Sequence, residues 1–155
     1  MKIVVNQQEL QQKVSTLEAM RNEVEALQQQ KQMLDEYIKR HDEAKETMKN
    51  YREEEAGTEV LVPIGADSYI YTEVSNNEEV LIGLGAGLSA ERGIDDALDI
   101  IERKKEKIED DKEELEEQIE DLNGKADELE DEVRKEYQEL QRQQQQQQGG
   151  GEVFR

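Results

Sequence analysis

Three closely spaced glycines, Gly83, Gly85 and Gly87, fall within VLIGLGAGLSAERG, residues 80–93, which ends on a fourth, Gly93; the stretch follows a β-branched run and precedes a helix-like one. Closely spaced glycines can cradle a phosphate, because backbone N–H groups then approach the anion with no Cβ in the way. A dinucleotide loop needs G-x-G-x-x-G between a strand and a helix of a βαβ unit. Here Gly85-x-Gly87 is followed by Ala90 in the third place, and a Walker-type Gly-Lys-Ser/Thr is absent. No second parallel strand follows, since heptads fill the chain after Gly93. The glycines are read instead as those of a tight hairpin turn.

Other candidate chemistry is equally bare. His41 is the only histidine and falls on a helix seam, where packing or a carboxylate partner is its ordinary use. The acidic run EDDKEELEE, residues 109–117, lacks the glycine-turned loop of a calcium site and sits on a continuous helix. It reads as a solvated face. There is no cysteine, so thiolate catalysis and disulfides are excluded, and a cytoplasmic location fits. Nothing assembles a nucleophile, a base and an orienting group. The expectation is a non-enzyme with no catalytic residue, no cofactor and no metal.

The elements around these residues explain why. Of 155 residues, 39% are charged and 34% hydrophobic, too few large apolar groups for an ordinary core of that length. Such a chain is either disordered or built of long helices that bury a narrow stripe. Periodicity decides for helix. From Gln7 to about Glu55 there is neither proline nor glycine, and a seam runs through Leu17, Met20, Val24, Leu27, Lys31, Leu34, Ile38, His41, Lys45 and Met48. Val14 lies one residue off that register. A second seam runs Ile94, Leu98, Ile101, Lys105, Ile108, Lys112, Leu115, Ile119, Leu122, Ala126, Leu129, Val133, Glu136 and Leu140. Gly124 interrupts it and weakens the helix by about 1 kcal/mol relative to alanine.

The middle is β-like. EVLVPIG and SYIYTEV are β-branched and aromatic, SNNEE supplies turn residues, and VLIGLG is a further apolar run. Four strands are expected near 59–64, 68–74, 79–84 and 88–91, forming two hairpins with turns at Gly65-Ala66, Asn76-Asn77 and Ala86-Gly87. Pro63 marks an edge or a bulge. The fold class is therefore α+β: a long antiparallel coiled-coil hairpin with two central β-hairpins. The segments are 1–57 (first helix), 58–93 (hairpins), 94–142 (second helix) and 143–155 (a flexible Gln/Gly-rich tail). Folded back antiparallel, the helices make an arm of roughly 70–80 Å, with Met48 near Ile101 and Leu10 near Leu140.

Two consequences follow. Isolated hairpins are marginal in water, so the apolar hairpin residues need a cover, and hairpins shared between subunits, closed into a barrel, supply it. The assembly residues are Val60, Leu61, Val62, Ile64, Tyr69, Ile70, Val80, Ile82 and Leu84, with Gly83, Gly85 and Gly87 shaping the turn. At the far end Ile3, Val4, Val5, Leu10, Val14, Val133, Tyr137 and Leu140 are partly unpaired. They form either a non-specific surface for exposed apolar segments or a frayed helix end. Val153 and Phe154 in the tail either add to that surface or are inert. The net charge of −20 repels nucleic acid and anionic lipid, and no run approaches a membrane span. That acidity suits a basic or unfolded partner, or solubility in high salt.

The order long helix, VLVPIGADSYI (60–70), VLIGLGAGLSAERGIDDAL (80–98), long helix, with two hairpins, resembles prefoldin, and within it the archaeal alpha class. The resemblance implies a hexamer of two alpha and four beta subunits whose hairpins build a double β-barrel. It implies an ATP-independent chaperone that holds unfolded clients at its coiled-coil ends and delivers them to a group II chaperonin. Client contact would then fall on the apolar residues near both termini and assembly on the hairpins. The polyglutamine run and GGGEVFR lie outside the family pattern. A filament-forming prefoldin relative shares part of the motif, which leaves a structural scaffold or filament subunit as the alternative.

Overall fold

The computed structural model describes residues 5–149. Its elements are α1 (Gln7–Glu53), β1 (Glu59–Gly65), β2 (Ser68–Glu73), β3 (Glu79–Gly85), β4 (Leu88–Gly93) and α2 (Ile94–Gly149). Two compact units divide the chain, residues 33–111 in one and residues 1–32 with 112–155 in the other.

The helices begin where local chemistry allows. Asn6 caps α1, its Oδ1 accepting the Gln8 N–H at 3.0 Å. α2 opens with Asp95 and Asp96 in its first turn, where carboxylates meet the positive end of the helix dipole. α1 ends with Arg52 in its last turn, and Asn77 reaches back from the loop between the hairpins to close it. The Asn77 amide donates to the carbonyls of Arg52 (3.1 Å) and Glu54 (2.6 Å), acceptors left open by the helix end.

Residues 59–93 form two antiparallel hairpins, β1–β2 and β3–β4, that are not hydrogen-bonded to each other. Their sequences repeat: Val60-Leu61-Val62 and Val80-Leu81-Ile82 both lead into Gly-Ala, twenty residues apart. The backbone repeats too. Ala66 and Asp67 have φ of 50° and 54°, and Ala86 and Gly87 have 51° and 75°. Each hairpin thus turns on two residues with positive φ, the mirror-image turn that matches strand twist. A bulge precedes each turn, between Pro63 and Gly65 and between Gly83 and Gly85. The glycine stretch is therefore a hairpin turn between antiparallel strands.

Strand ends differ slightly from expectation, because Glu79 pairs with Gly93 and carries β4 up to the start of α2. The larger difference is at the other end of α2. The helix continues through Gln143–Gln148 to Gly149, where the sequence reading placed a flexible tail from residue 143. Glutamine is a good helix former, and a helix already propagating adds one hydrogen bond per residue.

In the 33–111 unit, β3 packs onto the helices. Ile82, Ala97 and Ile101 are buried together, with Ala44, Met48, Val80 and Ile100 around them. Met48 thus packs against the cluster that holds Ile101, as the antiparallel folding requires. Arg52–Asp95 at 2.5 Å, Lys45–Glu102 and Asp42–Lys105 at 2.7 Å pair α1 with α2, the α1 number falling as the α2 number rises. In the other unit Lys31–Glu116 at 3.2 Å and Arg21–Asp127 at 2.9 Å do the same. Every residue of both seams is buried or half-buried, including Lys31, His41, Lys45, Lys105 and Lys112.

Candidate assembly and client-binding surfaces

The two hairpins have similar backbones and different surroundings. In β1–β2 the pairs Leu61↔Tyr71 and Pro63↔Tyr69 put their side chains on one face, and Val60↔Thr72 and Val62↔Ile70 on the other. Both faces are apolar. Leu61, Val62, Ile64, Tyr69, Ile70 and Tyr71 are all exposed, Tyr71 at 74%. Val60 is half-buried. This hairpin is tied to the rest of its unit at its base, where Val74 is buried and bonds Gly57 and Thr58 through the backbone.

In β3–β4 one face is already covered. Ile82 is 5% exposed and belongs to the helix-packed cluster, which Val80 joins. Lys104 from α2 donates to the Gly83 carbonyl, a further tie between helix and strand. The sequence reading placed Val80 and Ile82 among residues needing a cover from another subunit; the chain covers them with its own helices. The opposite face keeps Leu81 at 71% exposure, across from Glu91, and the turn leaves Leu84 and Leu88 open. Gly83, Gly85 and Gly87 have open space where a Cβ would stand. Gly85 and Gly87 are instead required by φ of 101° and 75°.

In the unit of residues 1–32 and 112–155, the apolar residues expected at the arm's end divide by burial. Leu10 (4% exposed) and Val133 are buried in the seam and hold the helices together. Val5, Val14 and Leu140 are half-buried. Tyr137 is 49% exposed and is the large apolar group that the described residues of this region present to solvent. Ile3, Val4, Val153 and Phe154 lie outside the described residues.

Charge pairing, which the sequence reading left unassigned, surrounds that region. Lys13 reaches both Glu132 (3.4 Å) and Glu136, and Arg21 forks between Asp127 (2.9 Å) and Glu130 (2.7 Å). The hydrogen bond to Glu136 raises the Lys13 pKa above the usual lysine value. The bonds to Asp127 and Glu130 raise that of Arg21. In the 33–111 unit, Lys105 hydrogen-bonds Asp42 and lowers its carboxyl pKa, its own being raised in return. Lys45 lowers Glu102 in the same way. His41 donates from Nδ1 to the Tyr37 carbonyl at 2.6 Å, within its own helix. Among the described residues no cluster of His, Asp and Glu is placed to hold a metal, and no helix is long and apolar enough to cross a membrane.

Two long helices flanking two small β-hairpins, the first hairpin apolar and exposed, define the class of fold. The chain belongs to the prefoldin family: the family model for prefoldin subunits matches residues 20–139. Its similarity within the family is to archaeal alpha-class subunits. It is 35% identical over 103 residues to prefoldin subunit alpha of Methanopyrus kandleri, a match spanning 66% of each chain, just under two thirds. It is 30% identical over 109 residues to that of Methanosarcina barkeri, covering 68% of this chain and 76% of the relative. Among solved structures, filamentous prefoldin from Methanocaldococcus jannaschii superposes with a TM-score of 0.67 at 27% identity, over 74% of this chain and 95% of the other. A prefoldin beta subunit from a Thermococcus strain shares the fold at 19% identity and a TM-score of 0.55, over 87% and 96%.

Proposed function

We propose that this chain is a subunit of an ATP-independent holdase of the cytoplasm. Two copies join four beta-class subunits, their hairpins closing into a shared barrel. The helix ends capture unfolded polypeptide, and the assembly delivers it to a group II chaperonin. Hairpin β1–β2, apolar and open on both faces, supports the assembly. The observation that carries client capture is Tyr137, a large apolar side chain standing outside the seam, with half-buried Leu140 one turn further along the same helix. Val5 and Val14 add half-buried apolar surface in the same unit.

The test mixes the chain with a beta-class subunit and follows aggregation of a chemically denatured client by light scattering. Near-stoichiometric assembly suppresses the scattering without ATP. The double change Tyr137→Ser and Leu140→Ser weakens suppression and leaves the assembly's mass unchanged. Equal suppression by that variant places the client contact elsewhere on the molecule.

Similarity to a filamentous prefoldin favours a second reading, a filament-forming structural subunit. Electron microscopy of the purified chain separates the two: discrete particles support the holdase, and long fibres the filament.

A further inference from the structure

Gly124 lies in the interior of α2 with none of the usual reasons for a glycine. It is exposed, and a Cβ built on it meets nothing within 4 Å, so no close approach demands it. Its φ is not positive, unlike those of Gly57, Gly65, Gly85 and Gly87. What remains is its effect on the helix, a loss of backbone order that alanine would avoid.

The surroundings localise that effect. Asn123, another weak helix former, precedes it. The exposed face around Gly124 is a shallow depression lined by Glu117, Glu120, Asp121, Lys125 and Glu128, four carboxylates to one amine. One exposed pair, Asp121–Lys125 at 2.9 Å, spans the position, and a surface pair at that spacing adds less than the glycine removes. Ion pairs to α1 stand on either side, Lys31–Glu116 before and Arg21–Asp127 and Arg21–Glu130 after. In the seam the nearest fully buried residue is Ala126, a side chain with little apolar area to hold the helix down.

We propose that Gly124 is a built-in yielding point of α2, where the helix opens locally between two clamped stretches and lets the residues beyond it adjust. Its use rests on the client-capture reading: a surface that takes unfolded segments of differing shape gains from compliance just behind it. The yielding itself is a property of the helix and is tested without a client.

The experiment is amide hydrogen exchange on the full chain assembled with its beta-class partner, comparing the native protein with Gly124→Ala. In the native protein, amides 124–128 exchange faster than those on both sides, 116–120 and 130–134. Gly124→Ala slows exchange at 124–128 by about five-fold, the factor that about 1 kcal/mol of helix propensity represents, and leaves amides 60–72 of the first hairpin unchanged. A smooth rise in exchange towards residue 149 with no local maximum overturns the proposal. So does a Gly124→Ala effect spread evenly along α2. Unchanged client capture by the Tyr137→Ser and Leu140→Ser variant would remove the proposed use and leave the exchange result standing.

Discussion

Tyr71 and Ile82 stand at opposite extremes of exposure on equivalent hairpins, and truncating each separates folding from assembly. Ile82 is 5% exposed among Ala97, Ile101, Met48 and Ala44. Ile82→Ala removes a buried side chain and leaves a cavity, which costs about 2–5 kcal/mol. Met48, unbranched and flexible, lines the site and can lean into the gap, which puts the expected cost in the lower half of that range. Tyr71 leaves 74% of its surface in water. A tyrosine buries on the order of 200 Å², so about 150 Å² remains for a partner to cover. At about 25 cal/mol per Å² that is roughly 3–4 kcal/mol available to assembly and close to none to the lone subunit. Urea unfolding of the isolated chain therefore shows a lowered midpoint for Ile82→Ala and an unchanged one for Tyr71→Ala. Sedimentation equilibrium with a beta-class subunit shows Tyr71→Ala weakening association by about 100-fold or more. The reasoning fails if Tyr71→Ala destabilises the isolated chain as much as Ile82→Ala does, or if it leaves association untouched.

Three further outcomes are expected. Ala66 and Asp67 hold positive φ in a two-residue turn that favours Asn-Gly; Ala66→Asn with Asp67→Gly stabilises the first hairpin by about 1 kcal/mol, read as slower amide exchange across residues 60–72. Asn77→Ala leaves the carbonyls of Arg52 and Glu54, at and just past the end of α1, without their donor and costs about 1 kcal/mol, measured as a lower thermal midpoint. Asp42 and Glu102 have folded-state pKa values below their unfolded ones, so the stability they contribute is present above about pH 4 and is lost as pH falls through the lowered values. The difference in urea midpoint between the native chain and Asp42→Asn with Glu102→Gln is accordingly steady from neutral pH down to about pH 5. It shrinks below that; a difference independent of pH would show that the lysine pairs do not act through charge.

Much of this architecture was legible in the chain because coiled coils and hairpins are written in local periods. The seam residues, including the polar ones, are all buried or half-buried, because a helix presents the same face every three to four residues whatever its surroundings. The turns were legible from Gly65, Gly85 and Gly87 because few other residues accept their backbone angles. The ion pairs across the helices were not, since Lys13 meeting Glu136 or Arg21 meeting Asp127 depends on the register of two elements far apart in sequence. The helical glutamine run escaped as well, because its composition reads as low complexity while its helix propensity is ordinary.

Sequence alone determined the two helices, the four strands and the stripe on which the helices meet, all set by spacing within a few residues. Only the tertiary structure decided which apolar groups are left open. Val80 and Ile82 read like Val60 and Val62 in the sequence, yet the helices bury Ile82 and leave its counterpart Val62 exposed. Leu10 and Tyr137 were both candidates for client contact, yet one is buried in the seam and the other stands in solvent. Exposure is a property of what packs against a residue, and the packing partners here are brought together from distant parts of the chain.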